Sequence, residues 1–314
     1  MKKFSSVDEF LGFRDRILAE KEAEIGKPVI VVSADTGAQA SGVNDIIRML
    51  KRYIVENSLQ TRVSLRITGC HGFCEMNPYV LVEPGGFFYP KLTMEDVPRV
   101  VQSAINGIVD EGLIYHDVRD HKNYPRQQDI PFFKKQMRLI LSNNQKLDPI
   151  RIVDYIENGG YSALAKAAAK SDPEWIIGEV EASGLRGRGG AGFPTGKKWR
   201  LARAAGNGSG EKFIVCNADE GDPGAYMDRG VLEGNPHSIM EGLIIGGIAI
   251  GAKQGIIYVR AEYPLAIKHT LIAIRQAREM GLLGKNILGA GIDFDIDIVR
   301  GAGAFVCGDR KSVV

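Results

Sequence analysis

Cysteine is scarce, at four in 314 residues. That excludes a disulfide-stapled scaffold and makes a reducing, cytoplasmic setting the expectation. No apolar run reaches the roughly 18 residues a membrane span needs. The nearest, Leu243 to Ile250, is short and broken by Gly246 and Gly247. The N-terminus shows no apolar h-region, so no secretory leader is expected. An excess of one charge is also missing. Lys+Arg total 40 against 38 Asp+Glu, a net charge of +2, which argues against a nucleic-acid protein held by bulk positive charge. A hydrophobic share of 44 % argues against disorder, and the length suggests about two domains. Glycine is plentiful instead. There are 38 where the usual share is ~7 %, concentrated in the second half, a pattern that suits close backbone contact with a ligand.

In the first part, Ser6-Val7-Asp8-Glu9 reads as a capping box opening a helix to about Glu24. The β-branched run Pro28 to Ser33 predicts a buried strand, and Val43 to Val55 has helical apolar spacing. Val63 to Thr68 alternates as a strand does. Tyr79 to Glu83 and Phe87 to Tyr89 flank Pro84-Gly85-Gly86, a hairpin signal, and Thr93 to Ile108 closes as a helix. The order is αβαββα, ending near residue 115. Between strands, Thr68-Gly69-Cys70-His71-Gly72-Phe73-Cys74 places two cysteines four apart, able to face one metal centre. Two thiolates alone do not complete a four-cysteine iron–sulfur site. The missing pair is expected after the first strand, where the chain reads Ser33-Ala34-Asp35-Thr36-Gly37-Ala38.

This part resembles the thioredoxin-like [2Fe–2S] ferredoxin domain of NADH dehydrogenases and NAD-linked hydrogenases. The family pattern is C-x₄-C after the first strand and C-x₃-C in a later loop. Cys70 and Cys74 match the second pair. Ser33 and Ala38 stand where the first pair would be, with Thr36-Gly37 in register. Alanine cannot bind iron and serine does so poorly. The expectation is a domain over 1–115 that holds no [2Fe–2S] cluster and serves for docking. Leftover thiols, or a cluster or other metal completed by a partner chain, are the alternatives.

His116 to Pro131 is polar and aperiodic and reads as an exposed linker, over about 116–135, with no metal expected at His116 or His121. Phe132 to Leu141 and Pro149 to Asn158 read as a helical lead-in to the second domain.

The strongest signal is Gly184-Leu185-Arg186-Gly187-Arg188-Gly189-Gly190-Ala191-Gly192-Phe193-Pro194-Thr195-Gly196-Lys197-Lys198-Trp199. Six glycines lie between 184 and 196, and six basic residues with no acidic one between Arg186 and Arg203. Glycines let backbone N–H groups approach a phosphate, and a helix N-terminus adds a favourable dipole. Generic motifs fit poorly. The segment before the loop, Asp172 to Ser183, reads as a helix rather than the strand a Rossmann fingerprint needs, and Gly196-Lys197-Lys198 is not the Walker form. A second constellation follows a strand at Lys212 to Val215. It runs from Cys216-Asn217-Ala218-Asp219-Glu220 to Met227-Asp228-Arg229 and holds four carboxylates at the strand's C-terminal end, where open α/β sheets bind ligands. Ribityl or ribose hydroxyls, a divalent cation and plain solvation all remain open for these acceptors. Cys216, Cys307 and Trp199 read as packing residues, as does the stripe Ile239, Leu243, Ile244 and Ile248.

Together these segments resemble the FMN- and NADH-binding flavoprotein (51 kDa-type) subunit of respiratory complex I and its soluble relatives. Tyr258 to Pro264 and Gly301 to Gly308 match as well. With the first part in front, the chain is most similar to the β-type subunits of NAD-linked hydrogenases and formate dehydrogenases. The resemblance implies an α/β protein: a thioredoxin-like ferredoxin domain followed by a Rossmann-like FMN/NADH-binding domain over 136–308. It implies that Gly187, Arg188, Gly189 and Lys198 line the FMN phosphate and ring, that Asn217, Asp219 and Glu220 hold the flavin, and that Gly190, Ala191 and Phe193 face NADH. Hydride would pass directly to FMN with no protein acid or base. Partners would be a small [2Fe–2S] subunit and an iron–sulfur subunit of a multisubunit complex, peripheral to the membrane at most. A scaffold subunit that keeps the fold without the electron path is the second reading.

From Cys307-Gly308 the family pattern runs on as Glu-Glu-Thr-Ala-Leu, whereas Asp309 to Val314 departs from it and can be encoded by a common sequencing-adapter string. The expectation is that 309–314 is a non-native tail on an incomplete domain, whose [4Fe–4S] part lies beyond.

Overall fold

A computed structural model of the chain describes residues 3–22, 25–188, 190–205, 210–222 and 224–303. It divides into two compact units, one of Ala19–Asp154 with Glu233–Asn235, the other of Met1–Leu18, Tyr155–Leu232 and Pro236–Val314.

The first unit is built on β1 (Val29–Ser33), β2 (Ser64–Thr68), β3 (Val80–Glu83) and β4 (Phe87–Tyr89), with α2 (Thr36–Ala40), α3 (Val43–Glu56) and α4 (Val97–Asn106). The sheet order is β2-β1-β3-β4. β2 runs parallel to β1, Ile30 opposite Leu65, while β3 runs antiparallel to β1 and β4 antiparallel to β3. The parallel pair needs a crossover, and α3 supplies it. Strand alternation then separates two apolar faces. Ile30, Val32, Val80, Val82, Phe87 and Tyr89 meet Ile46, Leu50 and Val101 of the helices. Tyr79 and Phe88 point the other way, into an aromatic cluster with Phe73, Tyr115 and Phe133.

That second face changes the reading of 116–135. The polar stretch folds as a hairpin, β5 (Tyr115–Asp117) with β6 (Lys122–Tyr124), and leads into the short α5 (Pro131–Lys134). Its polar side chains suit the hairpin surface, but Ile130 and Phe133 are buried and Phe132 stacks on Phe73 with ring centroids 4.3 Å apart. An uncovered aromatic sheet face recruits the segment, an effect a composition count cannot see. The expected helix over 132–141 shrinks to α5, and the one over 149–158 to α6 (Ile152–Glu157).

In the other unit, the opening helix α1 (Val7–Glu22) is capped reciprocally, Glu9 N–H to Ser6 Oγ at 3.1 Å and Ser5 N–H to the Glu9 carboxylate at 2.8 Å. Residues up to Leu18 cluster with this unit rather than with the first; Phe4 N–H donates to the Met280 carbonyl at 2.9 Å. The helices α7 (Ser162–Lys170), α8 (Pro173–Ala182) and α9 (Thr195–Ala204) precede the sheet. The sheet comprises β7 (Phe213–Ala218), β8 (Gln254–Val259), β9 (Gly284–Ile287) and β10 (Ile292–Arg300), in the order β7-β8-β10-β9. β7, β8 and β10 are mutually parallel, and β9 is antiparallel to β10. Between strands run α10 (Met227–Gly234), the largely apolar α11 (Pro236–Ile250) and α12 (Pro264–Met280). Among the described residues, no helix is long and apolar enough to cross a membrane.

One polar network sits inside this unit. Glu241, on α11 and 7 % exposed, accepts from Tyr155 Oη at 2.6 Å, Tyr161 N–H at 2.8 Å and Leu164 N–H at 2.9 Å. It thereby satisfies backbone donors at the start of α7, where the chain turns through Tyr161 in the left-handed region (φ 59°). His237, one turn earlier, lies 2.8 Å from Tyr161 Oη through Nδ1. In the sequence this helix reads as a stripe of aliphatics, and neither polar residue stands out. Their spacing of four, one face of a helix, is the signal that could have found them.

Candidate functional site

The described residues of the glycine-rich segment form a hairpin-like loop. Arg186 and Pro194 form an antiparallel bridge; Gly187 N–H donates to the Phe193 carbonyl and Thr195 N–H to the Leu185 carbonyl, both at 2.9 Å. Gly190 (φ 91°) and Gly192 (φ 59°) make the tight return, and L side chains are strained there. The loop delivers the chain into the N-terminus of α9. Gly196 lies at that first turn because α8 comes very close. A Cβ there would meet Glu181 Cγ at 2.4 Å and Glu181 N at 2.7 Å.

The basic residues divide by role. The Arg186 guanidinium donates to the Gly192 carbonyl at 2.8 Å and braces the loop. Arg200 grips Glu181 through two nitrogens, at 2.9 and 2.7 Å, and reaches Glu174 at 2.8 Å. Arg203 donates to Glu174 at 3.0 Å. These three are structural. Arg188, Lys197 and Lys198 are exposed around the loop and the α9 terminus, as are Gly190, Ala191 and Phe193. Gly189, Cys307 and the stretch 309–314 lie outside the described residues. Trp199 packs against α11, its ring 3.1 Å from where a Cβ on Gly246 would be, in keeping with its reading as a packing residue.

Beyond β7 the acidic turn folds on itself. Asn217 Oδ1 accepts from Asp219 N–H at 3.0 Å. The Glu220 carboxylate accepts the N–H groups of Met227, Asp228 and Arg229, at 2.7, 3.1 and 3.2 Å, and so caps α10. Its backbone carbonyl takes Arg260 Nη1 at 2.6 Å, and Tyr263 Oη lies 3.3 Å from its carboxylate. Glu220 therefore shapes the turn, while the half-buried Asp219 and exposed Asn217 remain at its surface. Burial, and then Glu220, push the Tyr263 phenol up to about 12. The Cys216 thiol rises to about 11, through burial first and then Asp228. Both groups are thus held in their protonated forms at neutral pH. Arg260, on the loop after β8, carries no signal of its own in the sequence beyond its motif, yet it ties that loop to the β7 turn. Its Nε is buried with no hydrogen-bond partner among the described residues. An unsatisfied buried donor at the carboxyl ends of parallel strands marks a place where a ligand acceptor would be favourable.

A second cluster lies in the first unit. Cys70 Sγ and Cys74 Sγ are 3.3 Å apart. Ser33 Oγ lies 2.9 Å from Asp35 Oδ2 and 3.2 Å from the Gly69 carbonyl; Ala38 is fully buried. A hydroxyl already committed to a carboxylate and a methyl group cannot replace two thiolates, so these residues do not fit a four-cysteine [2Fe–2S] centre. The Cys70 thiol is held well above its ordinary range by its hydrogen bond with Cys74, then by burial and Asp35. His71 is fully buried, lies 2.8 Å from Thr68 Oγ1 through Nε2, and titrates near 3, chiefly because burial penalises its cation and then because of Arg138.

The described residues thus combine three parallel strands, a glycine-rich hairpin feeding a helix N-terminus, and an arginine at the strand ends. Residues 180–314, a little over two fifths of the chain, match the Nuo51 FMN-binding domain. The NADP-reducing hydrogenase subunit HndC of Solidesulfovibrio fructosivorans is 56 % identical over 181 residues, 58 % of this chain and 36 % of that protein. The F subunit of the NADH-quinone oxidoreductase of Aquifex aeolicus is 44 % identical over 193 residues, 62 % of this chain and 44 % of that protein. The chain thus spans well under two thirds of these relatives. A solved NAD+-reducing [NiFe]-hydrogenase in its H2-reduced state aligns with 91 % of this chain and 45 % of its own at a TM-score of 0.43 and 24 % identity.

Proposed function

We propose that this chain supplies the FMN- and NADH-binding part of an NADH:acceptor oxidoreductase. The observation that carries the reading is the braced loop, Leu185 to Thr195, opening onto the α9 N-terminus with Arg188, Lys197 and Lys198 exposed about it. Backbone donors of the α9 N-terminus and three exposed cations lie there, and the neighbouring Glu181 carboxylate is already held by Arg200, which suits a phosphate.

Gly187, Arg188, Gly189 and Lys198 would hold the FMN phosphate and ring edge. Asn217 and Asp219 would accept from ribityl hydroxyls, and Glu220 keeps their turn in shape by capping α10. Gly190, Ala191 and Phe193 would face NADH, Phe193 presenting an apolar ring that is 44 % exposed. When bound, FMN supplies hydride acceptance from the nicotinamide and one-electron release toward iron–sulfur centres. The chain's own contribution is to bind, orient and exclude water.

The first unit's order β2-β1-β3-β4 supports a thioredoxin-like domain serving for docking, in a multisubunit, cytoplasmic complex with a small [2Fe–2S] subunit and an iron–sulfur subunit. The parallel β7-β8-β10 core supports a Rossmann-like domain behind it.

The test is FMN titration of the full chain, read by quenching of flavin fluorescence. Lys198→Ala is expected to weaken binding of FMN roughly tenfold, as loss of about 1.4 kcal/mol of charge-assisted contact implies, and to leave riboflavin binding nearly unchanged. Equal loss for both ligands, or none for either, refutes the phosphate assignment. Intact flavin binding without bleaching by NADH would favour a scaffold subunit.

A further inference from the structure

The two cluster positions that lack sulfur now both serve one carboxylate. Ser33 holds Asp35 Oδ2 through its hydroxyl at 2.9 Å. Ala38 and Gly37 give their backbone N–H groups to Asp35 Oδ1, at 3.4 and 2.8 Å. Asp35 is 3 % exposed, and such a carboxylate is not left in a protein interior without strong partners. A carboxylate oxygen of Asp35 and the sulfurs of Cys70 and Cys74 all lie within 4.8 Å of one another. In a tetrahedral zinc site, bonds of about 2.3 Å to sulfur and 2.0–2.2 Å to oxygen put the ligand atoms roughly 3.6–3.8 Å apart. The sulfurs, now at 3.3 Å, need to part by only a few tenths of an ångström.

We propose that Asp35, Cys70 and Cys74 form a mononuclear site for a thiophilic divalent cation such as zinc(II), in the place where relatives of the domain hold [2Fe–2S], with Ser33 as a positioning residue for the carboxylate. Two soft thiolates select zinc over magnesium or calcium. Three protein donors satisfy one tetrahedral ion and leave a fourth position. They cannot supply the four terminal ligands of a two-iron cluster. The fourth position has an approach from solvent, since Cys74 is exposed and borders a cleft of about 660 Å³ lined also by Gly72, Met76, Lys91 and Phe132. Binding deprotonates both thiols, the protons passing to solvent, and no electron is transferred.

The probe is cobalt(II) alone, added to the full chain after chelation and reduction, with difference spectra keeping flavin absorption out. Expected are one equivalent bound, thiolate-to-cobalt charge-transfer bands with the intensity of two sulfurs, visible bands of tetrahedral coordination, and displacement by zinc(II). Asp35→Asn keeps the cap of α2, because asparagine caps as well as aspartate, but loses the charge, and cobalt affinity should fall by more than tenfold. Ser33→Ala should weaken binding roughly tenfold, the usual effect of removing an outer-shell partner. Cys74→Ser, at an exposed side chain, should halve the charge-transfer intensity with an unchanged far-ultraviolet dichroism spectrum. The proposal is overturned if wild-type protein shows no sulfur-to-cobalt band, if Asp35→Asn binds as tightly as wild type, or if iron and sulfide reconstitute a [2Fe–2S] spectrum.

Discussion

His237 makes the second unit sensitive to acid, and the size of that effect is set by its surroundings. Its Nδ1 lies 2.8 Å from Tyr161 Oη and its Nε2 3.3 Å from Gln276 Oε1, at 2 % exposure. Burial lowers its pKa from 6.5 to about 4, the Gln276 hydrogen bond opposing this weakly. The unfolded chain therefore binds a proton that the native one refuses. Stability is fully present above about pH 6.5 and is lost as pH falls toward 4. At 1.36 kcal/mol per unit, the whole span is worth about 3 kcal/mol, with a limiting slope of one proton between the two values. The first unit has its own buried histidine, His71, which would blur a global measurement. Both tryptophans, Trp175 and Trp199, lie in the second unit. Urea unfolding followed by tryptophan fluorescence between pH 7.5 and 4.5 therefore isolates it. His237→Gln keeps a polar side chain and removes the titration. Its midpoint should be nearly flat over a range in which the wild type loses roughly 2–3 kcal/mol. Equal slopes for the two proteins would refute the reasoning.

The packing sets three further outcomes. Glu241→Ala leaves the donors of Tyr155, Tyr161 and Leu164 unpaired in the interior, and at about 1–3 kcal/mol each the second unit should lose most of its stability by the same fluorescence assay. Gly196→Ala should push α9 off α8, since its Cβ would meet Glu181 backbone nitrogen at 2.7 Å; a lower melting temperature and weaker FMN binding are expected together. Gly178→Ala is its control, for that glycine sits within α8 with nothing within 4 Å of a new Cβ, and it should stabilise the unit by about 0.5–1 kcal/mol. A Gly178→Ala protein less stable than wild type would contradict the description of that helix.

Much of the architecture is readable from local pattern. The β-branched run is β1, the alternation at 63–68 is β2, Pro84-Gly85-Gly86 is the turn between β3 and β4, and the helix before the glycine loop is α8. Such segments announce themselves because period and turn chemistry act over a few residues. The linker does not, because it folds onto an aromatic sheet face contributed by residues distant in the chain. Glu220 is legible as one acceptor among four, but its commitment to the α10 donors depends on how the chain returns to it. Arg260 is visible only as part of a motif; its tie to the Glu220 carbonyl joins loops 40 residues apart.

The amino-acid order by itself decided which chemistry is possible. It placed a glycine- and arginine-rich loop before a helix, put acceptors after a strand, and left two cysteines where four would be needed. Tertiary structure decided which of those atoms are still available. Arg186, Arg200 and Arg203 are consumed in bracing while Arg188 and Lys198 are not, and Ser33, unable to bind iron well, turns instead to Asp35 and brings a carboxylate beside two sulfurs. Hydrogen-bond capacity is finite, and how it is shared out depends on neighbours that only folding assembles.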